Sequence, residues 1–125
     1  PRAAARDGNG PQFFPADLID FYGVDYFPGP GGSDYSVDTM QAHVNQLRAA
    51  VGSNIYFTEL GSKAEAGDGA PPVSSTTQKA AIQSVIERFG GTVNGYWIWN
   101  KLTKKTKQDR FSIRGPARKY LEDTF

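Results

Sequence analysis

Ile55-Tyr56-Phe57-Thr58-Glu59-Leu60-Gly61 decides how this chain is read. The run opens on β-branched and aromatic residues, the side chains that suit a pleated, half-buried surface. It ends on a carboxylate, and a glycine-containing loop follows. In a parallel α/β protein the side chains at the carboxyl ends of the strands face the ligand crevice. Glu59 is therefore a candidate nucleophile or general acid/base. Two segments of the same type flank it, Asp20-Phe21-Tyr22-Gly23-Val24-Asp25-Tyr26-Phe27 upstream and Gly95-Tyr96-Trp97-Ile98-Trp99-Asn100 downstream. Each ends on aromatic or polar residues of the kind that bind sugars.

Outward from these segments the chain repeats one order, strand, loop and helix, without repeating its sequence. The first strand is expected over 18–27, nearly continuous in apolar and aromatic residues, as in a strand buried on both faces. Pro28-Gly29-Pro30-Gly31-Gly32 breaks it. Ser36 is the expected N-cap of a helix whose Val37, Met40, Val44, Leu47 and Val51 form one apolar stripe, and Gly52 ends it. The second strand is expected over 55–59. A long loop over 61–74 follows, of a length that is often functional. The second helix starts near Ser75 or Thr76, turns Ile82, Val85, Ile86 and Phe89 to the core, and stops at Gly90-Gly91. The third strand is expected over 93–99. The loop 100–112 leads to Gly115-Pro116, with Pro at the first helical position, and a last helix turns Ala117, Tyr120 and Leu121 inward.

Strand–helix alternation with short returns implies βαβ units and a parallel sheet. Three strands are too few to close a (β/α)8 barrel, which takes ~250 residues, whereas this chain has 125. The fold expected is therefore α/β, a (β/α)8 TIM barrel of which this chain supplies about three βα units. Residues 1–16, rich in Pro, Gly, Ala and Arg, read as a linker or a loop from a preceding unit. Residues 17–125 read as the C-terminal part of the barrel domain. Pro1 at the start and the lack of a visible signal peptide imply a processed chain or part of a longer one.

Composition narrows the partners. A net charge of +1 gives no reason to invoke nucleic acid or acidic membranes. The basic run Lys101–Lys107 lacks the interleaved aromatics of a nucleic-acid platform and reads as a solvated loop. No apolar run approaches the ~20 residues that cross a bilayer. The chain has no cysteine, which removes disulfides and thiolate metal sites. His43, the only histidine, sits beside the apolar stripe of the first helix without a second ligand at metal spacing, so no metal and no cofactor are expected. Ser74-Ser75-Thr76-Thr77 reads as a capping cluster rather than a nucleophile. Gly29-Pro30-Gly31-Gly32 matches no phosphate-binding pattern.

Parity then distributes the side chains. With Glu59 turned into a barrel mouth, strict alternation turns Phe57 and Ile55 inward with it. Trp97 and Trp99 share one parity of the third strand, Tyr96 and Ile98 the other. Gly23, Asp25 and Phe27 share a parity of the first. Retaining glycoside hydrolysis uses two carboxylates about 5–5.5 Å apart, one as nucleophile and one as acid/base. Aromatic faces at strand ends complement the C–H faces of pyranose rings, and Asp25 and Asn100 are placed to orient hydroxyls.

Taken in order, these three segments resemble strands six, seven and eight of a clan A glycoside hydrolase barrel, with the appearance of the retaining β-galactanase and β-mannanase families. Ser112-Ile113-Arg114-Gly115-Pro116-Ala117 resembles the lead into the last barrel helix of such enzymes. The resemblance implies that Glu59 is the catalytic nucleophile. It implies that Tyr26 or Phe27 lines the −1 subsite or touches the nucleophile, although Phe27 has no hydroxyl to donate. It implies that Trp99 forms the floor under the sugar. The acid/base of these families follows an Asn at the end of strand four, and no glutamate here sits in an Asn-Glu pair. The acid/base is thus expected from the remainder of the barrel, supplied upstream or by another polypeptide.

Bland readings stand beside these. Glu59 could cap the loop that follows it. Trp97 has a core reading, the stronger one, and a ligand-contact reading; for Trp99, nearer the strand end, ligand contact leads. Asp25 either orients a substrate hydroxyl or holds the Pro-Gly loop through its backbone amides. Asp20, at the opposite end of its strand, has no catalytic role. Two functions follow. One is a retaining hydrolase of β-linked oligo- or polysaccharide, secreted or extracellular. The other is a non-catalytic barrel-derived module that binds carbohydrate or serves an assembly.

Overall fold

A computed structural model of the chain describes residues 20–29, 36–52, 54–64, 74–98 and 112–125. Within them the order is β1 (Tyr22–Tyr26), α1 (Val37–Val51), β2 (Ile55–Leu60), α2 (Ser75–Phe89), β3 (Gly95–Ile98) and α3 (Gly115–Thr124). The three strands form one parallel sheet in the order β1-β2-β3, so β2 is central. This is the βαβ arrangement expected of the alternation.

The helices start and stop where local chemistry says they should. Ser36 Oγ accepts from the Thr39 amide at 3.2 Å and opens α1. Gly52 ends it at φ +86°, a left-handed conformation that glycine adopts without a Cβ penalty. Ser74 opens α2 through a capping box: its Oγ accepts from the Thr77 amide, while the Ser74 amide donates to Thr77 Oγ1 at 2.7 Å. In α3 Gly115 takes the first helical position and Pro116 the second, one residue later than expected, which still spares Pro an intrahelical donor.

The helices cover one face of the sheet. Met40, Val44 and Leu47 of α1 and Ile82, Val85, Ile86 and Phe89 of α2 join Tyr22, Tyr26, Ile55, Phe57 and Leu60 in a single buried cluster. Ala117 closes it from α3. The regular helical spacing and the strand alternation thus meet in one core. The other face carries Phe21, Asp25, Tyr56 and Trp97, and Phe21 and Trp97 are 44% and 54% exposed.

Three expectations about the strands are corrected. β3 begins at Gly95 and not at 93. β1 is shorter than 18–27; among the described residues it begins at Tyr22, and Asp20, Phe21 and Phe27 lie outside it. β2 runs one residue past Glu59 to Leu60. The extra length has a cause. From Val24 to Asp25, β1 advances one position while β2 advances from Phe57 to Glu59. From Tyr96 to Ile98, β3 advances two while β2 advances from Phe57 to Leu60. Both neighbours register the same extra residue in β2, a β-bulge at Thr58-Glu59. Its driving force is Leu60, which reaches the core at 0% exposure in the place that strict alternation would have given to Glu59. A carboxylate under α2 would carry a large desolvation cost.

Candidate functional site

The bulge re-aims Glu59. Ile55 and Phe57, expected to point the same way as Glu59, are buried beneath the helices, and the Phe57 ring meets Phe89 of α2 edge-on at 5.1 Å. Glu59 instead pairs by register with Asp25. Because Tyr22 and Tyr26 are buried on the helix side, Asp25 between them belongs to the open face, and Glu59 opposite it shares that face. The result is a half-buried Glu59 beside an exposed Asp25 at the carboxyl ends of two parallel strands. This is the end of a parallel sheet at which ligands bind.

The residue displaced by the bulge, Thr58, bridges the two strands. Its hydroxyl donates to Asp25 Oδ1 at 2.9 Å. Of the two readings of Asp25, its side-chain partner among the described residues is thus Thr58 across the strand. Thr58 has room because residue 23 is glycine: a Cβ there would stand 2.6 Å from Thr58 Cγ2 and 2.7 Å from Oγ1.

Further down the same face the aromatics gather. Tyr56 and Trp97 stack at 5.9 Å with 21° between their planes, and Phe21 meets both edge-on at 5.5 and 5.9 Å. Gly95 leaves space for Tyr56, whose ring carbons would lie 3.1–3.2 Å from a Cβ at 95. Trp97 therefore lies on the open face, against its core reading, while Tyr96 and Ile98 pack on the helix side.

Tyr26 sits elsewhere. It is 0% exposed within the helix-side core, its ring 5.8 Å from Phe57, so it fills a packing position and offers no face to a sugar. Burial, with the charge of Asp38 adding, pushes its hydroxyl up to about 12. Its parity with Tyr22, four residues earlier, places both rings on the helix side. Phe27 lies half-buried just past the strand. Trp99 and Asn100 lie outside the described residues, as do 1–16 and most of the loop over 61–74.

Gln78 is a polar residue that motif reading passed over. It is fully buried in the first turn of α2, and its side-chain amide holds three backbone groups. Nε2 donates to the carbonyls of Ser62 at 2.8 Å and Ser112 at 3.0 Å, and Oε1 accepts from the Arg114 amide at 3.2 Å. It thereby ties the segment leaving β2 to the segment entering α3. The Gly61 amide adds a bond to the Tyr26 carbonyl at 3.2 Å. The signal was present: 78, 82, 85 and 89 share one helical stripe, and Gln is the only polar member.

The amino ends of the strands are braced by asparagines. Asn54 accepts from the Tyr22 amide through its carbonyl at 2.9 Å, and its side chain donates to the Asp20 carbonyl. The Asn94 amide donates to the Ile55 carbonyl at 2.7 Å, and its side-chain oxygen accepts from the Ile55 amide at 3.4 Å. One end of the sheet is thus closed by backbone and asparagine side-chain hydrogen bonds, while the other presents Asp25, Thr58 and Glu59. Among the described residues no group of three His, Cys, Asp or Glu side chains is placed to hold a metal ion, and no helix is long and apolar enough to cross a membrane.

No protein-family model matches the chain, and no curated protein matches it. Among solved structures, a β-glucuronidase from Lactobacillus rhamnosus is similar over 86% of this chain, with a TM-score of 0.52 at 20% sequence identity. The chain spans 22% of that protein's length. At this identity the likeness is one of fold. The chain therefore shares its fold with part of that protein, a mixed α/β unit whose three parallel strands are consistent with part of a TIM barrel.

Proposed function

We propose that these residues are the nucleophile-bearing part of a retaining glycoside hydrolase barrel acting on a β-linked oligo- or polysaccharide, with Glu59 as the nucleophile. The observation that carries this reading is the Thr58-Glu59 bulge, which takes Glu59 out of the helix-side core and sets it at the carboxyl edge of the sheet beside Asp25. Bulges are common at barrel rims and beside active sites, where they re-aim a side chain. The fold likeness to a β-glucuronidase supports the class and leaves the sugar open.

In this mechanism a Glu59 carboxylate oxygen attacks the anomeric carbon as the bond to the leaving oxygen breaks. An acid from the remainder of the barrel protonates that oxygen. The same group then takes a proton from water, the water attacks the anomeric carbon, and Glu59 departs with its electron pair. Asp25, Phe27, Trp97, Trp99 and Asn100 are the proposed sugar contacts.

The test uses the full-length protein and a panel of aryl β-glycosides that includes a β-glucuronide. Glu59→Gln should lower kcat by about 10³-fold or more, with an unchanged melting temperature. Glu59→Ala should regain turnover with added azide, which attacks from the vacated side and yields a glycosyl azide of inverted configuration. Full turnover by Glu59→Gln overturns the assignment. A second reading, a non-catalytic carbohydrate-binding module, draws on the Phe21–Tyr56–Trp97 stack. It predicts tryptophan fluorescence changes with oligosaccharides in a protein that hydrolyses none of the panel.

A further inference from the structure

We infer that Gly23, Thr58 and Asp25 form a lock that sets the aim of Glu59, an inference that rests on Glu59 being the nucleophile. A bulge leaves one residue outside the regular ladder. A slip of one position there exchanges the faces of neighbouring side chains. In β2 such a slip would exchange Thr58, Glu59 and Leu60 among the open face and the core. Something must therefore hold the extra residue in one place, and the lock does so from two directions.

Shape is the first. The Thr58 side chain occupies the space left by the missing Cβ of Gly23, closer than any side-chain-bearing residue at 23 would allow. Threonine is β-branched and stiff at χ1, so seating its methyl group also sets the direction of its hydroxyl. Charge is the second. That hydroxyl donates to Asp25 Oδ1 at 2.9 Å, and Asp25 is the register partner of Glu59. The bond joins the residue before the nucleophile to the residue opposite it. Thr58 touches no substrate in this arrangement and is a positioning residue that acts through Glu59; Asp25, proposed above as a sugar contact, also anchors the Thr58 hydroxyl. Gly23 is required for the absence of a side chain, not for a special backbone conformation.

Kinetics of the full-length protein on the aryl β-glycoside panel test this. A misplacement of about 1 Å costs on the order of 10²-fold in rate. Thr58→Val keeps the shape and loses the hydroxyl; it should lower kcat by about 10- to 100-fold while leaving KM and the melting temperature near those of the parent. Thr58→Ser, which keeps the hydroxyl, should recover most of the loss. Gly23→Ala should be as damaging as Thr58→Ala, and the two together no worse than either, because an alanine at 58 lacks the Cγ2 and Oγ1 that the new Cβ would strike and leaves only its own Cβ, 3.3 Å away. Should Gly23→Ala fail to fold, the Val and Ser variants of Thr58 still decide the matter.

A Thr58→Val enzyme with parental kcat, or losses at 23 and 58 that multiply, overturns the lock. If Glu59→Gln is inactive while Thr58→Val is unimpaired, the lock alone fails. If Glu59→Gln is fully active, or the parent hydrolyses none of the panel, the nucleophile reading fails and the lock with it.

Discussion

The two faces of this sheet are built from the same strands and answer to different physics. Beneath the helices, Ile55, Phe57 and Leu60 of β2 are fully buried among side chains from α1 and α2. On the open face the same strand shows Tyr56, Thr58 and Glu59, near glycines at 23 and 95 and exposed aromatics at 21 and 97. One face is a continuous buried apolar cluster, and in a close-packed interior the removal of a group is felt. The other leaves polar and aromatic groups accessible and in register. The lesson lies at their boundary. Leu60 takes the place in the core, and the bulge that lets it do so delivers Glu59 to the side where chemistry can occur.

The comparison is most easily broken at Phe57. If the helix face carries the stability, Phe57→Ala should cost about 3–5 kcal/mol, read as a lower denaturation midpoint. A cost as small as that of an open-face substitution would end the distinction. Gln78 comes next. Gln78→Ala removes the bonds to the Ser62 and Ser112 carbonyls and to the Arg114 amide, and a buried polar group left unpaired costs about 1–3 kcal/mol. Substitution should also loosen α3 first, seen as faster amide exchange near Ala117.

Alkaline pH sharpens the contrast without mutation. Tyr26 and Tyr96, both packed on the helix side, have hydroxyls pushed from 10.0 up to about 12, in each case chiefly by burial. Between those values the unfolded chain has shed these protons and the folded chain keeps them. Their contribution is complete below about pH 10 and is lost as pH rises toward 12. The melting temperature should therefore fall through that window, and Tyr26→Phe or Tyr96→Phe should flatten the fall. An identical alkaline limb in the double variant would contradict the placement of both rings. The smallest effect belongs to Trp97→Ala. Its ring stands largely in solvent, and loss of its stacking on Tyr56 should cost about 0.5–1.5 kcal/mol.

Much of the fold was legible in the linear pattern. The apolar stripes Met40-Val44-Leu47 and Ile82-Val85-Ile86-Phe89, the caps at Ser36 and Ser74 and the stop at Gly52 all act over a few residues, within reach of one helical turn. The site was legible only in part. Glu59 was singled out by its place at a strand end, yet strict alternation sent Ile55 and Phe57 to the wrong face. The spacing 55, 57, 60 of the apolar residues held the clue to a bulge. Tyr26 stands at the carboxyl end of β1 yet is buried on the helix side, because nearness to the end of a strand says nothing of which face a ring takes.

The sequence by itself determined the alternation of strands and helices, the helix boundaries and the carboxylate at the end of β2, because each depends on neighbours close in the chain. Only the tertiary structure decided that Thr58 rests against Gly23 and bonds Asp25, that Gln78 clamps segments 16 and 34 positions away, and that Glu59 leaves the core. Those outcomes depend on which strands lie side by side and on which side chain wins a place beneath the helices. That competition is settled by burial and register between segments distant in sequence.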